Sequence, residues 1–378
     1  MNQPNEIYYD MITTNYKSEK TEPVAINFQE NRNIPLLNNS GDYEMSIVRF
    51  QVDSQLLPIL IPEIESNQSD INKTIYSVSM SYLPDGQTNP IEVQTYITWQ
   101  PQNKNTIIPP PPSSNSNGLQ SDTGSYYYCY NFQWFVSLIY KACLDCFQEL
   151  QQKTTGLENC IAPVISWNPD NNTAVISAPS DYFNSEDTNA IQLYFNSPLF
   201  ALFSSFPVQN FGASASLGKN HRIQIANFTG TNTIYLPSIP DENEQQYLCI
   251  QVYQEYSTIA NWTPANSIVF TSMSLPVYPE QLCSPLVFNE GRQIILGNNS
   301  NFANVITDLQ TNDLCYKPNL IYNPSAQYRW ISLLGDKAIS NVDVQVYWKS
   351  RFGKLNPLYL MSGSSCSLKI LFQKKTKV

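Results

Sequence analysis

One histidine stands among 378 residues, and it limits most of what this chain could catalyse. His221 lies in a polar stretch beside Lys219 and Arg222. A Ser-His-Asp or Cys-His arrangement would have to use it, because the hydroxyl or thiol needs a neighbouring base to take its proton. No GxSxG turn accompanies it, and neither flank carries a nucleophile motif. The run Gly212-Ala-Ser-Ala-Ser-Leu-Gly218-Lys219-Asn220 resembles a phosphate loop only superficially. Five residues separate its glycines where four are required, Asn220 replaces the needed Ser or Thr, and no buried strand precedes it. Cys143-Leu-Asp-Cys146 is a CxxC, the spacing of half a zinc site or of a redox pair. Zinc needs two further ligands nearby, and Cys160 is the nearest candidate. A redox pair normally opens a helix, where the dipole lowers the thiol pKa, whereas this one falls inside a helical pattern. Asp241, Glu242 and Glu244 read as a solvated loop. A carboxylate pair for glycoside hydrolysis stays open, since 31 acidic residues always allow one. The residues nominate no catalytic, cofactor-binding or metal-ligating side chain, and the chain is read as a non-enzyme.

The elements that would position any site are mostly strands. Tyr76, Val78, Met80 and Tyr82 alternate with Ser77, Ser79 and Ser81. Ile91, Val93, Ile97 and Trp99 share one face, as do Val342, Val344, Val346 and Trp348 against Asp343, Gln345 and Tyr347. Cys366, Leu368, Ile370 and Phe372 form a last alternating set. Residues 44–52 slip phase between Ile47 and Val48, as a bulge or a strand buried on both faces would. Further strands are expected at 164–167, 173–177, 191–195, 223–228, 249–256 and 268–275, punctuated by turns such as Leu83-Pro84-Asp85-Gly86 and Gly297-Asn298-Asn299. One helix interrupts the pattern: Phe132, Phe135, Val136, Ile139, Cys143, Phe147 and Leu150 recur at three- and four-residue spacing after a cap at Asn131. Before it, Pro109 to Pro112 and a Ser/Asn/Gly run form a linker or exposed loop.

Composition narrows the class. Hydrophobic residues make up 42% and aromatics 12%, enough for a sizeable core, while charged residues are only 14%. The polarity is carried instead by 40 Asn and 27 Gln, which suit turns better than helix interiors. A net charge of −10 disfavours broad contact with nucleic acid or anionic membrane. Lys369, Lys374, Lys375 and Lys377 are the local exception, a basic tail that reads as a solvated terminus or as a contact to a genome. No signal segment opens the sequence, and no apolar run is long enough to span a membrane. The eight cysteines are dispersed in apolar patterns, as buried reduced thiols are. Twenty-four Tyr and six Trp would serve core packing, protein interfaces or glycan stacking.

Several segments resemble virophage and Polinton-type minor capsid proteins. They are Tyr43-Glu-Met-Ser-Ile-Val-Arg-Phe-Gln-Val52, Leu57-Pro-Ile-Leu-Ile-Pro-Glu63, Tyr194-Phe-Asn-Ser-Pro-Leu199 and Gln254-Glu-Tyr-Ser-Thr-Ile-Ala-Asn-Trp262. The C-terminal ones are Tyr322-Asn-Pro-Ser-Ala-Gln-Tyr-Arg329, Val342-Asp-Val-Gln-Val-Tyr-Trp-Lys349, Phe352-Gly-Lys-Leu-Asn-Pro-Leu-Tyr359 and Ser367-Leu-Lys-Ile-Leu-Phe372. The resemblance implies a mainly β fold, a single jelly roll with a mixed, partly helical insertion domain. Five copies would form a penton at each five-fold vertex of an icosahedral virion, beside a major capsid protein with two jelly rolls. The basic C-terminus would face the genome or inner shell, and assembly would occur in the host cytoplasm. Jelly-roll residues are expected at 1–100 and 249–378, with 101–248 as an outward insertion entered through the proline-rich stretch. A glycan-binding jelly-roll attachment protein is the alternative, with a carboxylate-based hydrolase behind it.

Overall fold

The structure, a computed structural model, describes residues 4–16, 22–66, 69–111, 120, 124–227, 230, 232–237, 246–282, 286–289, 292–295, 301–310, 319–323 and 329–376. Its principal elements begin with β1 (Glu6–Thr14), β2 (Asn27–Asn31) and β3 (Tyr43–Asp53). Next come β4 (Lys73–Tyr82), β5 (Ile91–Thr98), α1 (Phe132–Lys153), β6 (Val164–Asn168) and β7 (Thr173–Pro179). They continue with β8 (Gln192–Phe195), α2 (Ser197–Leu202), β9 (Val208–Asn210), β10 (His221–Ile223), β11 (Thr233–Pro237) and β12 (Gln246–Tyr253). The last are β13 (Ala265–Thr271), β14 (Val305–Gln310), β15 (Asn319–Tyr322), β16 (Asn341–Ser350) and β17 (Ser365–Lys374). The chain divides into two units, Met1–Ile59 with Thr263–Val378, and Leu60–Trp262.

The first unit is a sandwich of two antiparallel sheets, ordered β1-β17-β3-β15 and β2-β16-β13-β14. Numbered by their place within this unit, the eight strands run 1-8-3-6 and 2-7-4-5, the strand order of a jelly roll. Alternation builds its core: Val344, Val346 and Trp348 from one sheet and Leu368, Ile370 and Phe372 from the other are all buried. Phe50 and Phe270 meet edge-to-face across the sandwich at 4.8 Å. The phase slip in 44–52 is a bulge: Lys369 pairs with Arg49 and Ile370 with Ile47, which leaves Val48 as the extra residue. The bulge keeps Ile47 and Phe50 in the core although three positions separate them.

In the second unit, one sheet is ordered β9-β10-β8-β4-β5 and another β11-β12-β7-β6. Helix α1 packs against β4, β5 and β6. It starts where expected, with Asn131 Oδ1 accepting from the Trp134 amide at 3.3 Å. Its apolar face carries Phe135, which meets Tyr76 and Trp262 edge-on, each at 5.7 Å. Trp262 also contacts Phe132 and Phe203, and its indole N–H donates to the Leu202 carbonyl at 2.8 Å.

Two sequence expectations need correction. The strands expected at 74–82 and 91–99 do not belong to the jelly roll: β4 pairs with β8, β5 pairs with β4, and both lie in the unit Leu60–Trp262. The units therefore change at 59/60 and 262/263, not at 100/101 and 248/249. The proline-rich stretch is an excursion within one unit. Trp99 Nε1 donates to the Tyr126 carbonyl, Trp134 Nε1 donates to Gln100, and Gln102 Oε1 accepts from the Tyr130 amide. A composition break marks an exposed loop as readily as a domain boundary. The second correction concerns polar faces: Ser77, Ser79 and Asp343 were placed opposite the core but are buried as well. Residues 112–119, 121–123, the acids Asp241, Glu242 and Glu244, and the Gly297-Asn298-Asn299 turn lie outside the described residues.

Candidate functional site

The structure does give His221 partners. Strand β10 pairs with β9 and β8, so Asn210 and Phe195 lie opposite His221. His221 Nδ1 is 2.7 Å from Asn210 Oδ1, and Nε2 is 3.3 Å from Ser197 Oγ at the start of α2. A carboxamide oxygen only accepts, so Nδ1 carries the proton and Nε2 accepts from Ser197. Burial lowers the histidine pKa below its ordinary 6.5, in favour of the neutral ring. The Phe200 ring stacks on it at 4.1 Å. Sequence reasoning could not find this Ser-His-Asn relay, because its three residues come from three separate short elements.

The amides nearest Ser197 are not free to hold an oxyanion. An oxyanion needs backbone donors aimed beside the nucleophile. Here the Ser197 amide donates to Asn220 Oδ1 at 3.1 Å, and the Leu199 amide to Asn196 Oδ1 at 3.2 Å. Pro198 has no N–H, and the Phe200 amide donates to the Asn196 carbonyl at 2.9 Å. Every amide at the start of α2 is committed. The Gly212–Asn220 loop is structural too: Leu217 accepts from Ser79 Oγ, and Lys219 pairs with Glu92. Gly218 has φ +64, and a Cβ there would lie 2.8 Å from Ser77 Oγ. The rejected phosphate loop is thus the cover over the serine face of β4.

The thiols are placed for packing. Cys143 and Cys146 lie on the buried face of α1. Burial pushes Cys146 and Cys129 up to about 12 and Cys249 to about 11, and raises Cys143, Cys160 and Cys366. Such thiols stay protonated and unreactive. Among the described residues, no group of three His, Cys, Asp or Glu is placed to hold a metal ion. Cys283 and Cys315 lie outside them.

The C-terminal lysines are largely spent within the jelly roll. Lys369 lies 3.9 Å from Asp10 and over the Tyr8 ring, while Arg49 forms a two-pronged bond to Asp10 at 3.0 and 2.8 Å. Lys375 Nζ donates to the Gly41 and Leu333 carbonyls at 2.9 and 3.0 Å, tying the tail after β17 to two connections at one end of the sandwich. Lys374 is exposed, and Lys377 lies outside the described residues. At the same end the turn Ser272–Ser274 wraps Asp343. Both serine hydroxyls and the Met273 and Ser274 amides donate to its carboxylate. Among the described residues, no helix is long and apolar enough to cross a membrane.

A single jelly roll interrupted by a mixed domain is a framework that viral capsid proteins share with lectins and cupins. A family model described as Sputnik minor capsid protein V18/19 matches residues 7–374, and the chain belongs to that family of minor capsid proteins. Two proteins of Sputnik virophage align with it. "Structural protein V19" is 27% identical over 209 residues, 55% of this chain and 93% of the relative. "Uncharacterized protein V18" is 28% identical over 149 residues, 39% of this chain and 86% of the relative. Among solved structures, a chain of the Sputnik virophage seen by cryo-EM superposes with a TM-score of 0.82 at 24% identity, over 99% of both chains. The crystallised mavirus penton protein superposes with a TM-score of 0.62 at 15% identity, over 98% of this chain and 100% of that one. This protein is a virophage-type minor capsid protein with the jelly-roll fold.

Proposed function

We propose that this minor capsid protein is the penton: five copies close into a ring at each five-fold vertex, beside a major capsid protein with two jelly rolls. The likeness to the mavirus penton protein, end to end in both chains, carries this reading. A ring also suits a head-to-tail interface, which must either close or propagate into a filament. The role is architectural and not catalytic, in keeping with a Ser197-His221-Asn210 relay whose surrounding amides are already engaged. Assembly in the reducing host cytoplasm fits six buried free thiols among the described residues. Genome contact through the tail contributes little, since Lys369 and Lys375 are held by the jelly roll itself. The inserted stretch Leu60–Trp262 is a compact unit of its own. Negative-stain averages of the purified protein test the reading: rings with five-fold rotational symmetry support it, and rings of any other order contradict it.

A further inference from the structure

In the inserted unit, α1 does not fill all the space beside it. A cavity of about 250 Å³ lies between the helix, the chain at 160–164 and strand β11. It is a pocket open to solvent on one side and not a void closed inside the unit. Its walls are Leu144, Phe147, Ala162, Val164 and Leu236, and among the described residues no charged side chain lines it. Tyr140, Gln151 and Ile161 on its lining are half-buried and Gln148 is exposed, so the cavity is reachable from solvent.

Size and chemistry define what would enter. An apolar cavity of about 150 Å³ accepts benzene, so this one has room for a second fused ring. The described lining is uncharged and mostly apolar, which favours a neutral ligand, because a desolvated ion would find no partner among these residues. Gln151 spends its amide N–H on the Leu157 and Cys160 carbonyls, at 2.8 and 3.3 Å, which leaves its carbonyl oxygen to accept a bond. We propose that this cavity binds a neutral bicyclic aromatic molecule bearing one N–H or O–H donor, seated against Phe147 and donating to Gln151.

Calorimetric titration of the full chain with indole, and with naphthalene as the analogue without a donor, tests this. Indole should bind saturably, and about tenfold more tightly than naphthalene, the discrimination of one hydrogen bond. Ala162→Phe fills the cavity and should abolish binding with the fold retained by circular dichroism. If that variant fails to fold, Leu144→Trp fills it from the half-exposed helix side. No saturable binding of indole would overturn the proposal. So would affinity for naphthalene equal to that for indole, or undiminished binding in a folded filled variant.

Discussion

Asp343 shows how single residues hold this fold. Burial works to raise its pKa, but bonds from Ser274, Met273 and Ser272 outweigh burial, and the net result lies below the ordinary 3.8. A carboxylate whose folded pKa is depressed stabilises the protein above its unfolded pKa, and that contribution disappears as pH falls through the folded value. Asp343→Asn should therefore cost about 2 kcal/mol at neutral pH, the worth of bonds to a charged acceptor. Urea titrations of the two proteins should converge below about pH 3.8; a constant difference at every pH would reject this role. Gly41 is a second case, since a Cβ there would lie 2.2 Å from the Gly335 carbonyl oxygen. Backbone cannot swing aside, so Gly41→Ala should lose about 1–3 kcal/mol, read as a lowered urea midpoint. Neither residue was legible in the sequence. The partners of Asp343 lie some seventy positions upstream, and alternation alone assigned it to solvent. The amide richness had an equally hidden use: in Gln192–Tyr194, Gln251–Tyr253 and Gln345–Tyr347 each tyrosine hydroxyl donates to the glutamine two residues earlier. The two side chains share a strand face, and each gives the other a partner there.

Strands and helix were more readable than their partners, because period and caps are local while pairing is not. The alternation at 342–348 and 366–372, the phase slip between Ile47 and Val48 and the Asn131 cap all follow from nearest neighbours, and each is present; the pairing then shows that the slip is a bulge. Which sheet receives a strand depends on distant chain, and there the reading of β4 and β5 went astray. Pro58, Pro62 and Pro264 flank the true crossing points, a weaker signal than the four consecutive prolines at 109–112. At this scale the core face of β16 gives the sharpest expectation. Trp348 is only 2% exposed, so Trp348→Ala should destabilise by about 3–5 kcal/mol. Thermal melting of the variant checks it, and an unchanged midpoint would show that the ring does not bear on the core.

At the scale of the molecule, both jelly-roll sheets are built wholly from residues outside 60–262. Replacing Leu60–Trp262 by a short Gly/Ser linker should therefore leave a folded β sandwich. Dispersed amide resonances with a β-type circular dichroism spectrum would support this, and a collapsed spectrum would show that the inserted unit is needed for folding. The family and its sandwich were legible because the matching segments lie in jelly-roll strands as well as in the insertion. Copy number is a property of surfaces between chains, which one sequence does not display. Five-fold closure is the central claim, and native mass spectrometry of the purified 43.0 kDa chain tests it most directly. The penton reading predicts a dominant species of five chains that survives dilution, and a dominant trimer, or a ladder of open oligomers, would contradict it.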